Sequence, residues 1–312
     1  MINLYQTSIN YTESKNVNHC LKTSWISSKG KFIKEFEKNF SKFTKIRHSI
    51  TTSSGTSAIH LALLCLDIKK GDQIIVPSFT FVATVNPIRY LGATPVFIDS
   101  KLDDFQMNLD QLKNKINKNT KAIICPHIYG NTTNLIRLKN ICKKNKLYLI
   151  EDCAEALGSF YKKKHVGNFG DIATFSFYGN KTITTGEGGM ICTNKKFLTK
   201  KIIKLKFQGI LDDKTKSSYF HDIIGYNYRM SNVLAGIGLA QLKKIKLFIK
   251  KKRKIFDLYN QGFNDNPNVI ILKETENVLS SYWLNVILVK NFTVRQNLKK
   301  FLEKKGVETR TT

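Results

Sequence analysis

Lys181 stands in the segment TFSFYGNKTITTGEGGMICT (174–193), among the small and polar residues Gly179, Asn180, Thr182 and Thr185. An amine in such surroundings can form an imine with a carbonyl compound when burial or a neighbouring cation keeps part of it neutral. A lone lysine in a chain with 51 Lys+Arg residues means nothing, so the weight rests on this context. Ser176, on the apolar run just before the lysine, can add a hydroxyl to a phosphate. The segment EDCAEALGS (151–159) follows the apolar run LYLI and brings Asp152 and Glu155. A carboxylate at the C-terminal end of a parallel strand lies where open α/β sheets bind ligands. There it can hold a ring nitrogen protonated, as a pyridoxal-phosphate enzyme requires for the ring to act as an electron sink. Asp152 and Glu155 serve equally well as a cap or ion pair of the following segment.

SSGTSAIHLAL (53–63) is a turn of small residues entering an apolar helix. Gly55, Thr56 and Ser57 would let the backbone approach a phosphate at the positive end of the helix. A Ser/Thr run before a helix is, however, most often only its N-cap. His60, His127 and His165 have no ligand spacing among them and read as structural, so no metal site is expected.

The elements that must position these residues follow from periodicity. Apolar runs at 74–77, 94–99, 121–126, 147–152, 171–177 and 189–193 alternate with segments of helical spacing at 57–66, 81–91, 109–116 and 133–145. That alternation builds a mostly parallel sheet covered by helices, an α/β fold. A long helix is expected from the cap Ser231, bridging to a smaller α+β part with strands at 269–272, 281–289 and 307–310 and a helix at 297–306. The expected division is a large domain over 1–240 and a bridging helix with a small domain over 241–312.

The length allows one large and one small core. No apolar stretch approaches the roughly 20 residues of a membrane helix, and the N-terminus has no signal-peptide pattern, so the cytoplasm is the expected compartment. The six cysteines form no C-x-x-C pair, which argues against a disulfide framework and a zinc site. The net charge of +28 raises nucleic-acid binding, but the lysines are spread over every helical segment, as in KKIKLFIKKKRK (243–254). This dispersion reads as solvated faces, or as attraction of a small anionic substrate.

Five separated segments carry a resemblance: 23–40, 76–99, 147–159, 165–190 and HDIIGYNYRMSN (221–232). In that order they resemble the DegT/DnrJ/EryC1/StrS family of sugar aminotransferases that use pyridoxal 5'-phosphate (PLP), over nearly all of residues 1–310. The resemblance implies an aspartate-aminotransferase-like fold, with Lys181 as the Schiff-base lysine and Asp152 as the pyridinium partner. It implies Phe81 stacked on the cofactor ring and Glu155 near its phenolic oxygen. Gly55, Thr56, Ser57 and Ser176 would hold the phosphate, and Asn227 would reach it from the neighbouring subunit of a homodimer. The residues alone assign neither Phe81, which reads as core, nor Asn227, which reads as a turn residue. Arg229 stays open between phosphate contact and structure.

The implied reaction moves an amino group from L-glutamate to a nucleotide-linked 4-keto-6-deoxy sugar, with GDP the favoured nucleotide. Members of the family continue past the segment matching VETR (307–310), so the small domain is expected to be incomplete. The rivals are a non-catalytic remnant of the fold or a basic nucleic-acid-binding protein, and a sugar dehydratase of the same family. The dehydratases usually carry histidine at the position of Lys181.

Overall fold

The computed structural model describes residues 1–210 and 220–311. Two helices open the chain, α1 (Tyr11–Lys22) and α2 (Lys31–Thr44). Asn10 and Glu13 close α1 with a capping box. Phe32, Phe36 and Phe40 recur every fourth residue of α2, so all lie on one face, and all are buried. The Phe40 ring meets Phe175 edge-on at 5.0 Å, and Phe36 meets Phe177 at 5.2 Å. Burying such a side chain contributes about 1.5–3 kcal/mol, which fastens α2 to the sheet.

Alternation of strand and helix then runs through β1 (His48–Thr52), α3 (Gly55–Cys65), β2 (Gln73–Pro77), α4 (Asn86–Tyr90), β3 (Thr94–Ile98), α5 (Leu112–Lys115), β4 (Thr120–Pro126), α6 (Leu135–Lys144) and β5 (Tyr148–Asp152). After the short strands β6 (Phe160–Tyr161) and β7 (Lys164–His165) come β8 (Ile172–Ser176), β9 (Gly189–Thr193) and α7 (Lys196–Lys206). Seven strands form one sheet in the order β1-β9-β8-β5-β4-β2-β3. The pairs β3/β2, β2/β4, β4/β5 and β5/β8 are parallel, whereas β9 runs antiparallel to both β8 and β1. The expected mostly parallel sheet is therefore present, with β9 as its antiparallel member. Both faces are covered. Ile123 and Leu149 join one apolar core with α2 and α6, while Ile124 and Ile150 face the other with α3 and α7.

The long helix α8 (Asn232–Phe263) begins at Ser231, whose hydroxyl accepts from the Leu234 N–H, as its sequence predicts. Beyond it lie β10 (Val269–Ile271), β11 (Val278–Leu279), β12 (Ile287–Val289) and α9 (Phe292–Lys304). The segment 281–289, expected as one strand, pairs only over its last three residues, with β10. Its first residues leave the ladder because Ser281 N–H donates to Ser159 Oγ (3.0 Å) and Arg253 takes the Ser280 carbonyl (2.7 Å). β11 instead pairs with β6, adding to a separate three-stranded sheet. Residues 81–91 form a 3-10 turn and the short α4 rather than one helix, since Pro87 cannot continue a preceding turn. At 307–310 there is no strand, only a bridge between Val307 and Ile2. Thr312 lies outside the described residues.

Candidate active site

The ends of β5 and β8 set the site. Successive strand residues point to opposite faces, so Glu151 and Asp152 diverge. Glu151 is fully buried and accepts from the N–H groups of Gly167 (2.7 Å), Phe169 (2.7 Å) and Gly170 (2.6 Å), with His127 Nε2 at 3.1 Å. Burial pushes its carboxyl up, but the His127 bond and these backbone donors outweigh this and hold it below the usual carboxylate range. Cys153 lies close to both, but the carboxylate oxygens are already taken, and His127 Nδ1 is bonded to Thr132 Oγ1 at 2.8 Å. His127 is thereby a structural residue. So is His165, which accepts from the Gly158 N–H (3.0 Å) and is driven down to about 4 by burial.

Asp152 points the other way. Its Oδ2 accepts from Thr84 Oγ1 (2.8 Å) and its Oδ1 from the Ala154 N–H (3.1 Å). Thr84 belongs to the turn that starts at Phe81, whose carbonyl accepts from the Thr84 N–H (2.9 Å). A second hydroxyl, Thr80 Oγ1, lies 2.9 Å from Thr84 Oγ1.

Lys181 projects from a tight turn in which its N–H donates to the Tyr178 carbonyl (2.9 Å). Its Nζ lies 3.9 Å from Glu155 Oε1 and 3.9 Å from the centroid of the Trp283 ring. Burial pushes the amine down, against the opposing influence of Glu155 and Asp152. Burial likewise pushes the Glu155 carboxyl up, partly offset by Lys181. Glu155 Oε2 also accepts from the Tyr129 N–H (2.9 Å). Tyr129 holds a positive φ of 57°, a conformation rare for a bulky residue, and this aims its N–H at the carboxylate.

The turn before α3 is a capping box, with Ser54 Oγ accepting from the Ser57 N–H (3.0 Å) and Ser57 Oγ from the Ser54 N–H (2.9 Å). The capping reading of this segment is thus correct, and the box occupies Ser57 while leaving Gly55 and Thr56 N–H without intrahelical partners. Gly55 is pressed against the end of β8, where a Cβ added to it would stand 2.8 Å from Ser176 Cβ. Gly55 and Ser176 are therefore neighbours.

Phe81 and Asn227 are placed differently. Phe81 is not core: its side chain is 69% exposed, directly before the turn that reaches Asp152. Asn227 is exposed too, its Oδ1 accepting from Arg229 Nε (2.9 Å), and the adjacent Tyr228 carbonyl accepts from the Ser53 N–H (3.0 Å). Arg229 lies over the Phe207 ring at 4.5 Å. Sequence reasoning missed Thr84, Tyr129 and Trp283; only the rarity of tryptophan, two in the chain, hinted at the last.

The residues present fit PLP. A buried amine, an acceptor-bearing Asp152 and a glycine cradle that a Cβ would fill converge at the strand ends, and Asn180 Oδ1 is buried without a partner among the described residues. Fold and site together define an aminotransferase of the PLP-dependent class with an aspartate-aminotransferase-like architecture. The chain belongs to the DegT/DnrJ/EryC1/StrS aminotransferase family, which matches residues 7–312. It is 47% identical over 309 residues to the GDP-perosamine synthase of Escherichia coli O157:H7, covering 99% of this chain and 84% of that one. Among solved structures it is similar to the PLP form of the sugar aminotransferase Spr1654 of Streptococcus pneumoniae (TM-score 0.90, 29% identity, 96% of this chain and 81% of that one). A further likeness is to the E. coli GDP-4-keto-6-deoxy-D-mannose-3-dehydratase with bound hydrated PLP (TM-score 0.93, 27% identity, 99% and 85%). Among the described residues, no helix is long and apolar enough to cross a membrane.

Proposed function

We propose that this chain is a PLP-dependent aminotransferase that moves an amino group from L-glutamate to the keto carbon of a GDP-linked 4-keto-6-deoxy sugar. The observation that carries the reading is the largely buried Lys181 amine set 3.9 Å from the Glu155 carboxylate. When bound, the cofactor would supply an electron sink beside the Lys181 amine. Lys181 Nζ would hold the cofactor, and as a free amine it could accept a proton from one carbon and return it to another. The lowering of the amine by burial suits this work, because only its neutral form can accept a proton. Asp152 would keep the ring nitrogen protonated, and Thr84 fixes the orientation of that carboxylate. Glu155 would face the phenolic oxygen and Phe81 would cover the ring, while the free N–H groups of Gly55 and Thr56 with the Ser176 hydroxyl would hold the phosphate beside Ser57, whose own N–H and hydroxyl are engaged by Ser54.

The likeness to GDP-perosamine synthase at 47% identity supports the GDP-sugar as substrate. The fold suits a dehydratase equally well, so the discriminating residue is Lys181, which can both carry and shuttle the proton that transamination needs. We also propose a homodimer in which Asn227 serves the partner's phosphate site, a role supported by its exposed side chain. The proposed compartment is the cytoplasm, whose reducing conditions suit six buried free thiols. The test is borohydride reduction with PLP followed by peptide mapping: the label is expected on Lys181, and a label elsewhere, or none, refutes the reading.

A further inference from the structure

Trp283 lies 102 positions beyond Lys181, and its side chain is among the nearest groups to the amine. Indole Nε1 donates to the carbonyl of Asn180 (2.8 Å), the residue that precedes Lys181. The ring stacks on Tyr129, 6.2 Å between centroids and 15° from parallel, and the Tyr129 N–H holds Glu155. On its backbone side Trp283 is held by Lys252 Nζ, which donates to its carbonyl (2.9 Å). The side chain is only 7% exposed. One indole therefore connects the backbone that aims the amine with the residue that orients its carboxylate.

An ammonium over an indole face is stabilised by the ring quadrupole, the more so when water is excluded. Burial acts on Lys181 in the opposite sense and favours the neutral amine. Glu155 also favours the ammonium, but burial draws that carboxyl toward its neutral form, in which it no longer helps. A π face does not titrate, so its support for the ammonium persists across the pH range. We propose that Trp283 is a positioning residue for Lys181: its ring face holds the ammonium form of the free amine, and its N–H fixes the turn from which the amine projects. The proposal rests on Lys181 being the reactive amine. The titratable groups around the pair are Glu155 and Asp152 beside the amine, Tyr129 under the indole with its phenol pushed up to about 12, and Lys252 behind it, lowered to about 8.

The chain's other tryptophan, Trp25, is 56% exposed, so Trp25→Phe leaves Trp283 as the sole indole. In the cofactor-free full chain its fluorescence is expected to change in a pH step that Lys181→Met abolishes, while steps due to Lys252 and Tyr129 survive. The amine is followed independently by trace acetylation of Lys181 against pH, read by peptide mass spectrometry. Trp283→Leu is expected to lower the titration point of Lys181 by about one unit, giving about tenfold more neutral amine at a fixed pH, and Trp283→Phe to restore most of the shift. A purely structural tryptophan would alter the thermal midpoint and leave that titration point where it was. Absence of a Lys181-dependent fluorescence step, or an unmoved titration point in Trp283→Leu, overturns the proposal. The fluorescence arm keeps Trp283 in place and decides the matter even if the leucine variant does not fold. Borohydride trapping is a separate arm: its failure beside an intact titration would strike at the role of Lys181 and not at the indole contact.

Discussion

Thr84→Val tests whether the Asp152 carboxylate is held for catalysis. Valine keeps the shape of threonine and removes one hydroxyl, the donor 2.8 Å from Asp152 Oδ2. Asp152 is 7% exposed, and its other oxygen already accepts from the Ala154 N–H, so water has little room to substitute. Thr80 Oγ1 loses its 2.9 Å partner as well. A hydrogen bond to a charged group is worth about 1.5–3 kcal/mol, and a loss of that size in the transition state lowers kcat/KM by about 10- to 150-fold. If the hydroxyl acts through Asp152, Asp152→Asn already removes most of what it supports, and the double variant falls little below Asp152→Asn alone. Single-turnover rates of the glutamate half-reaction measure all four corners of the cycle. Wild-type rates in Thr84→Val, or fully additive losses in the double variant, would refute the argument that Thr84 serves the carboxylate.

Asp152→Asn is expected to fold and to bind PLP while the half-reaction slows by at least about 100-fold, since a neutral amide no longer keeps the ring nitrogen protonated; absorbance and rapid mixing decide it. Gly55→Ala should cost about 1–3 kcal/mol of packing energy against Ser176, weakening PLP binding, with Ser176→Gly in the same chain relieving the clash but not restoring the lost hydroxyl; fluorescence titration with PLP reads both. His165 is neutral in the fold with its value lowered to about 4, so the unfolded chain gains a proton first as pH falls from about 6.5; stability should drop through that window by up to about 3 kcal/mol, and the denaturant midpoint of His165→Gln should depend on pH less steeply. Asn227→Asp and Lys181→Ala should each be inactive, and co-refolding the two should restore activity in one site of each mixed dimer; activity no higher than either variant alone argues that Asn227 serves its own chain. Amide exchange should be faster over α9, which buries no residue, than over the start of α8, and equal protection would contradict the exposure of α9.

The strands that build the site were readable because their apolar runs are continuous, as sheets covered on both faces require. β1 was not, since HSITT is polar and its burial comes from pairing with β9 and packing under α2. The helices α1 and α2 went unread as elements although Phe32, Phe36 and Phe40 mark a face, because the lysines between them dilute the apolar signal. Lys181, Asp152 and the Gly55 turn stood out through local composition. Phe81 and Asn227 entered only by resemblance, as nothing local separates an exposed ring or a turn asparagine from the ordinary kind. Trp283 was hidden for another reason. It was read as part of a strand, and the bonds that pull 280–283 out of the ladder reach Ser159, Arg253 and Asn180, partners that no pattern in the linear sequence connects.

The back-to-back placement of Glu151 and Asp152 limits how this chain can change in length. Glu151 is anchored by the backbone of 167–170 on one side of β5, and Asp152 meets Thr84 on the other. Gaining or losing a single residue within β5 would exchange the two carboxylates, turning the anchored one toward Thr84 and burying Asp152 among donors spaced for a longer side chain. Insertions at the exposed turn 145–146, between α6 and the strand, carry no such exchange. A chain lengthened by one residue at that turn is therefore expected to keep both carboxylates in place, while one lengthened or shortened within the strand is not.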